Sequence, residues 1–179
     1  MNNPLKIAVA GLGTGGGATL QLIQAQADIL SQRCGRDLVV THVSARDRNR
    51  DRGLDLAGIA WVDDPMALAT TDNIDVVVEL IGGSEGIARD LVEASLKAGR
   101  HVVTANKALM AHHGNALGQL AEGAGVSLAY EAAVAGGIPI IKALREGLAG
   151  NRIERVYGIL NGTCNYILST MRDQGLGFD

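Results

Sequence analysis

Gly11, Gly13 and Gly16 form a G-x-G-x-x-G spacing between an apolar run, Leu5 to Ala10, and a stretch of helical character. The chemistry such a spacing serves is the holding of a pyrophosphate. Gly11 permits a tight turn, the bare backbone at Gly13 lets an anion approach, and Gly16 lets helix and strand pack closely. The first-turn N–H groups of that helix have no partner within it and can bind the anion. Thr14 and Gly15 lie at the helix start and add backbone donors. A dinucleotide is the ligand this arrangement implies, against the alternative of a purely structural glycine turn.

Two cations extend the argument. Lys107 follows an apolar strand and opens a helix, where its ammonium can orient a substrate or polarise a carbonyl oxygen during hydride transfer; the plainer reading is an exposed, solvated lysine. Arg46 closes the string Ser44-Ala45-Arg46 at the end of the second strand. An NAD reader normally has an acid there for the ribose hydroxyls, whereas a guanidinium accommodates a 2′-phosphate. NADP(H) is therefore favoured, with NAD(H) kept open because Asp47 is one residue further on. Gly82 and Thr104, each following a strand, are expected to touch the nicotinamide ribose. Glu79 is expected to reach a backbone or arginine partner near the sheet edge and is left out of the site.

The elements that position these groups alternate. Strands are expected at Leu5–Ala10, Leu38–Val43, Ile74–Ile81, His101–Thr104 and Val126–Tyr130. Between them come a long helix from Thr14 to about Gln32, a short one from the Asp64-Pro65 start to Thr70, one capped by Ser84 and running to Ala98, and one from Lys107 to Glu122. Strand–helix alternation implies a Rossmann-type, doubly wound parallel sheet over residues 1–131, an α/β fold with its ligand crevice outside the carboxyl ends of the strands. From Ala132 the texture changes. A helix ending near Gly150, a strand over Ile153–Leu160, and a turn at Asn161-Gly162-Thr163 capping a last helix read as the beginning of a second, α+β domain over residues 132–179.

Composition bounds the function. With 47% hydrophobic and 20% charged residues the chain can form a packed core. A net charge of −3 offers no basic footprint for nucleic acid. The arginine- and aspartate-rich run from Ser44 to Gly58 reads mostly as a solvated loop with balanced charge. Cys34 and Cys164 are too few for a disulfide framework, and no apolar run approaches the length of a membrane span. A soluble cytoplasmic protein is expected. His112 and His113, adjacent on a helix, point in different directions and make a poor metal site.

Four separated strings then coincide. Gly11-Leu-Gly-Thr-Gly-Gly16, Thr104-Ala-Asn-Lys107, Tyr130-Glu-Ala-Ala-Val-Ala-Gly-Gly-Ile-Pro139 and Gly158-Ile-Leu-Asn-Gly-Thr-Cys-Asn-Tyr-Ile-Leu168 resemble the homoserine dehydrogenase family, in order and across essentially the whole chain. The resemblance implies NAD(P)-dependent interconversion of L-homoserine and L-aspartate 4-semialdehyde, on the route to threonine, methionine and isoleucine. It implies a role for Lys107 at the cofactor–substrate junction, and carbonyls of Glu131, Val134, Gly136 and Ile138 around Na⁺ or K⁺. From residues alone that last segment reads as a hinge loop. Asn161, Gly162 and Thr163 either face the substrate or form a capped turn.

Members of the family are longer. Their substrate-binding acids, and the lysine usually assigned as proton donor, lie beyond Asp179, and the resemblance implies a homodimer formed through the substrate region. The chain is therefore expected to be an N-terminal piece competent at most for cofactor binding. Two alternatives stay open: a non-catalytic dinucleotide-binding or regulatory module, and another dehydrogenase with the same nucleotide domain.

Overall fold

The computed structural model describes residues 3–158 and 162–178. The chain divides into two compact units at Ile138/Pro139, beyond the change of texture at Ala132.

The first unit is built on β1 (Leu5–Ala10), α1 (Thr14–Ala25), α2 (Ala27–Cys34), β2 (Leu38–Ser44), β3 (Ala60–Trp61), a 3₁₀ turn at Pro65–Ala69, β4 (Val76–Glu79), α3 (Ile87–Lys97), β5 (His101–Thr104), α4 (Lys107–Ala124), β6 (Leu128–Ala129) and the single turn α5 (Glu131–Val134). Its six strands are all parallel, in the order β3-β2-β1-β4-β5-β6. The order reverses between β1 and β4, so the crossovers leave in opposite directions from there and open a crevice at the carboxyl edge. One register row defines that edge. Ser44, Ala10, Glu79 and Thr104 lie side by side at the ends of β2, β1, β4 and β5.

Alternation along the strands feeds two faces. Ile7, Val9, Val76 and Val78 pack with Leu20 of α1, whereas Ala8, Ala10 and Val77 pack with Leu68, Ala69 and Leu91 of the 3₁₀ turn and α3. Val92, Leu96, Val102, Leu109, Leu117, Ala121 and Leu128 continue the core under α3 and α4. The mostly apolar sequences of β1 and β4 follow from this double burial.

Local chemistry sets most boundaries. Asp64 caps the 3₁₀ turn through Met66 N at 2.9 Å, with Pro65 at its first position. Asn106 caps α4 through Leu109 N at 3.1 Å, and Gly125 ends it at φ +67°. The expected long first helix is two. Gln26 leaves helical geometry at φ −114°, ψ 22°, and α2 beyond it buries no side chain, so no core contact holds it in line with α1. Ser84 does not cap α3. Gly82, Gly83 and Gly86 all take positive φ and lengthen the turn, so the helix begins at Ile87 behind Gly86. Strand β3, too short for any periodicity to register, is an addition.

In the second unit, α6 (Ile140–Lys142) runs into a π-type turn at Ala143–Gly147, and α7 spans Gly162–Gln174. The strand expected over Ile153–Leu160 is not formed at 152–158, and its last two residues lie outside the described ones. A strand exists only through a partner's backbone groups, and every described strand belongs to the first unit.

Arg100 contributes a tie that the sequence does not announce. Its Nε donates to Ala69 O at 2.7 Å and Nη2 to Thr71 O at 2.6 Å, while Nη1 donates to Ile74 O. These carbonyls fall where the chain leaves the 3₁₀ turn for β4 and no ladder serves them. Arg100→Met is expected to lower stability by roughly 1–3 kcal/mol, read as a shifted denaturation midpoint with unchanged slope.

Candidate functional site

The glycine turn explains its own composition in two of three places. Gly11 takes φ +98°, and a Cβ there would lie 2.4 Å from Leu80 O; one on Gly16 would lie 1.8 Å from Gly11 O. Both glycines are required by the protein's own backbone. Gly13 is different: a Cβ there would meet nothing within 4 Å. Its backbone, at φ −74°, ψ −162°, is open to any residue. The space beside it is free for a ligand, and Gly13, Thr14 and Gly15 are exposed at the N-terminus of α1, which has no acid in its first turn. Exposed backbone donors and the helix dipole together are of the kind that suit an anion.

Beside it lies a crevice of about 510 Å³ lined by Gly11, Leu12, Gly13, Ser44, Ala45, Arg46, Arg50, Arg52, Leu80 and Ile81, among others. Arg46 is thus brought to the glycine turn as expected, and two further guanidinia join it. Arg52 is positioned by Nε donation to Leu12 O at 3.1 Å and by stacking over Trp61 at 5.8 Å. The charged run therefore contributes to the crevice wall more than a solvated loop would. What hid this is that Arg50 and Arg52 are placed by the path of a long loop and not by any local period. Asp47 does not line the crevice; its Oδ1 accepts from Asn49 N at 2.9 Å and closes its own turn. Ser44 Oγ is buried on the crevice side with no hydrogen-bond partner among the described residues.

At the other end of the carboxyl edge, Lys107 is exposed at the first position of α4 and makes no ion pair among the described residues. A cation there opposes the helix dipole, and no acid in the first turn compensates. Lys107 also lines a second hollow, of about 540 Å³, that follows α4 to Tyr130 and Val134. Gly82 is exposed and its backbone is reachable. Thr104 is not: it is 0% exposed, and its hydroxyl donates to Glu79 Oε2 at 2.6 Å, so it reaches no ligand directly. Glu79 does have backbone partners, Ile81 N and Gly82 N at 2.8 and 3.0 Å, and no arginine partner among the described residues; it ends β4, between β1 and β5, on the carboxyl edge of the sheet.

The turn beyond Gly82 is also held from outside. Glu85 Oε1 lies 2.6 Å from His113 Nε2, and Glu85 Oε2 accepts from Arg89 Nη1 at 3.0 Å. The His113 hydrogen bond, and then Arg89, hold the Glu85 carboxyl below the usual glutamate range. A depressed carboxyl pKa supports the fold above its unfolded value and ceases to as pH falls through the folded one, so this exposed tie weakens on acidification.

Glu131 and Val134 are the ends of α5, and Gly136 and Ile138 follow in a turn where Ile138 N donates to Ala135 O at 2.8 Å. Gly162 and Thr163 open α7 in the second unit; Asn161 lies outside the described residues.

An all-parallel sheet that reverses its strand order beside a glycine turn, a free helix N-terminus and an arginine-lined wall defines a Rossmann-type dinucleotide-binding domain. Comparison with known proteins narrows the class. The family model described as homoserine dehydrogenase, NAD binding domain, matches residues 11–131, and the homoserine dehydrogenase model matches 139–179. The chain belongs to the homoserine dehydrogenase family. It is 46% identical over 175 residues to the homoserine dehydrogenase of Neisseria gonorrhoeae, covering 98% of this chain and 40% of the relative. Identity to the Pseudomonas aeruginosa enzyme is 47% with the same coverage. The crystal structure of a homoserine dehydrogenase from Thiobacillus denitrificans superposes with a TM-score of 0.89 at 47% identity, over 99% of this chain and 41% of that one. A hyperthermophilic archaeal homoserine dehydrogenase in complex with NADPH gives 0.80 at 26% identity, over 99% and 59%. The chain thus spans about two-fifths of the length of the bacterial relatives named here. No helix among its described residues is long and apolar enough to cross a membrane.

The glycines separate fold from binding. Gly13→Ala is expected to cost about 1 kcal/mol of stability or less and to weaken dinucleotide binding about tenfold or more. Gly16→Ala should instead lower stability by at least about 2 kcal/mol, because backbone must move. Parallel denaturation and calorimetric titration of both variants check this.

Proposed function

We infer that this chain is the dinucleotide-binding part of an NAD(P)-dependent oxidoreductase that interconverts L-homoserine and L-aspartate 4-semialdehyde, in the biosynthesis of threonine, methionine and isoleucine. The observation that carries the reading is Gly13, a glycine whose missing side chain serves no contact within the protein and leaves room for a pyrophosphate at the α1 N-terminus. Family membership supplies the substrate pair.

Bound NAD(P)H supplies the hydride in the reductive direction. The chain's own residues hold and polarise. Gly13, Thr14 and Gly15 offer the pyrophosphate backbone donors, and Gly82 presents its exposed backbone to the nicotinamide ribose. Lys107 holds a positive charge at the carboxyl end of β5, where it attracts the carbonyl oxygen that gains negative charge as the aldehyde carbon is reduced. The alkoxide so formed takes up a proton to complete the alcohol, and none of these residues is assigned as its donor.

NADP(H) is the favoured cofactor. Arg46, with Arg50 and Arg52 on the same wall, suits a 2′-phosphate, while Asp47, the acid next to Arg46, is engaged in its own turn. NADPH stands in the archaeal relative's complex. The carbonyls of Glu131, Val134, Gly136 and Ile138 are of the donor type a hard ion such as Na⁺ or K⁺ takes. Gly162 and Thr163, with Asn161, are assigned to the substrate side, and the whole protein is assigned as a cytoplasmic homodimer.

Calorimetric titration of the chain with NADP⁺ and NAD⁺ tests the reading. NADP⁺ should bind about tenfold or more tightly than NAD⁺, and Arg46→Ala should remove most of that ratio while sparing NAD⁺. Binding of neither nucleotide would refute the cofactor assignment. In a protein carrying this chain with the remaining length of its relatives, Lys107→Ala should cut kcat/KM by roughly 10²-fold or more; unchanged kinetics would remove Lys107 from the site.

A further inference from the structure

Glu79 is an anomaly of the carboxyl edge. Its residue is 0% exposed in the middle of the sheet, and the donors to its carboxylate among the described residues are two backbone amides and one hydroxyl. A buried carboxylate without a cation is costly, and its burial is sustained only by complete hydrogen bonding. A packing role would be served as well by an apolar residue of similar volume, as in the rest of β4.

The hydrogen bonds show what the charge holds. Oε1 accepts from Ile81 N at 2.8 Å and Gly82 N at 3.0 Å, drawing in the turn after β4. Oε2 accepts from the Thr104 hydroxyl at 2.6 Å, and that hydroxyl in turn accepts from Asn106 N at 3.0 Å. Asn106 closes the circuit. Its Nδ2 donates to Gly83 O at 2.6 Å, while its Oδ1 caps α4 through Leu109 N. One carboxylate thus fixes two turns against each other, the one bearing Gly82 and the one ending in Lys107. Gly82 and Gly83 sit at φ +87° and +89°, a region open to glycine but one it enters no more readily than negative φ, so the surrounding hydrogen bonds select it.

The location gives this lock a purpose. With the pyrophosphate at the α1 N-terminus and the adenosine end on the β2 side beside Arg46, the far half of a dinucleotide lies over the ends of β4 and β5. We propose that Glu79 is a positioning residue for the nicotinamide half of the cofactor, acting through Thr104 and Asn106 to hold the Gly82 backbone and the start of α4 in binding geometry. The proposal rests on the dinucleotide reading above. It assigns Thr104 a relay role in place of a direct ribose contact.

Two probes separate the halves of the site. NADPH spans the whole crevice, whereas adenosine 2′,5′-bisphosphate occupies the adenosine end alone. In calorimetric titrations of the chain, Glu79→Gln and Thr104→Val should weaken NADPH roughly tenfold and leave adenosine 2′,5′-bisphosphate within about twofold. Thr104→Ser, which keeps the hydroxyl, should restore most of the NADPH affinity. In the unliganded variants the Ile81 and Gly82 amides should lose hydrogen-exchange protection. If Glu79→Gln does not fold, the Thr104→Val and Thr104→Ser pair decides. Equal weakening of both probes, or NADPH affinity unchanged in Thr104→Val, overturns the positioning role while leaving the dinucleotide reading intact. A parent chain that binds neither probe overturns both.

Discussion

The contact between Gly16 and the Gly11 carbonyl is the constraint on which the rest of the binding edge depends. At that separation no side chain fits at position 16, so α1 starts directly against the turn that ends β1. Gly11 is pinned from the opposite side by the Leu80 carbonyl, which belongs to the turn after β4. Three segments therefore meet through backbone alone at the point where strand order reverses. The crevice is the space left when backbones pack this closely and the next residue, Gly13, is kept bare.

From that point the two halves of the edge are built by different physics. On the β2 side, positive charge is delivered by a loop whose local structure is a series of aspartate-capped turns at Asp47, Asp51 and Asp55. Asp47, Asp51 and Asp55 of this loop each accept a backbone N–H, and Arg46, Arg50 and Arg52 line the crevice. On the β4–β5 side, order comes from a buried polar circuit with Glu79 at its centre. The first arrangement can adapt to a polyanion, since guanidinia on a loop can shift. The second cannot, because each member of the circuit would strand another buried polar atom by moving.

Legibility of the sequence followed the range of the interaction responsible. β1, β4 and β5 were readable because double burial writes an apolar run into a few adjacent residues, and the ends of α2 and α4 because Gly35 and Gly125 take left-handed φ. The glycine fingerprint was readable for the same reason. What stayed hidden depends on partners far along the chain. Glu79 meets Thr104 across 25 residues, Arg52 meets Leu12 across 40, and Arg100 serves carbonyls 26 to 31 residues back. Gln26 interrupts the first helix because α2 lacks a core partner, which no residue within the helix reveals. The expectation for Glu79, a backbone or arginine partner, met its backbone half, while the Thr104 hydroxyl was not foreseen because strand order is not a property of strand sequence.

Electrostatics ties the two halves into one site despite an overall charge of −3. The helices that open at the glycine turn and at Lys107, α1 and α4, carry no acid in their first turns, whereas α2 and α3 carry Asp28 and Asp90. An acid in a first turn is the stabilising choice for an isolated helix, worth a few tenths to about 1 kcal/mol. Its omission at α1, which opens beside the crevice, and at α4 leaves their partial positive charge available, and Lys107 adds a full one against the dipole. Three guanidinia, those of Arg46, Arg50 and Arg52, line the crevice beside the glycine turn together with the single carboxylate of Asp63. The absence of a first-turn acid at α1 and α4 suits an anion as much as the cations do, and it becomes visible only when the helix termini are placed in space.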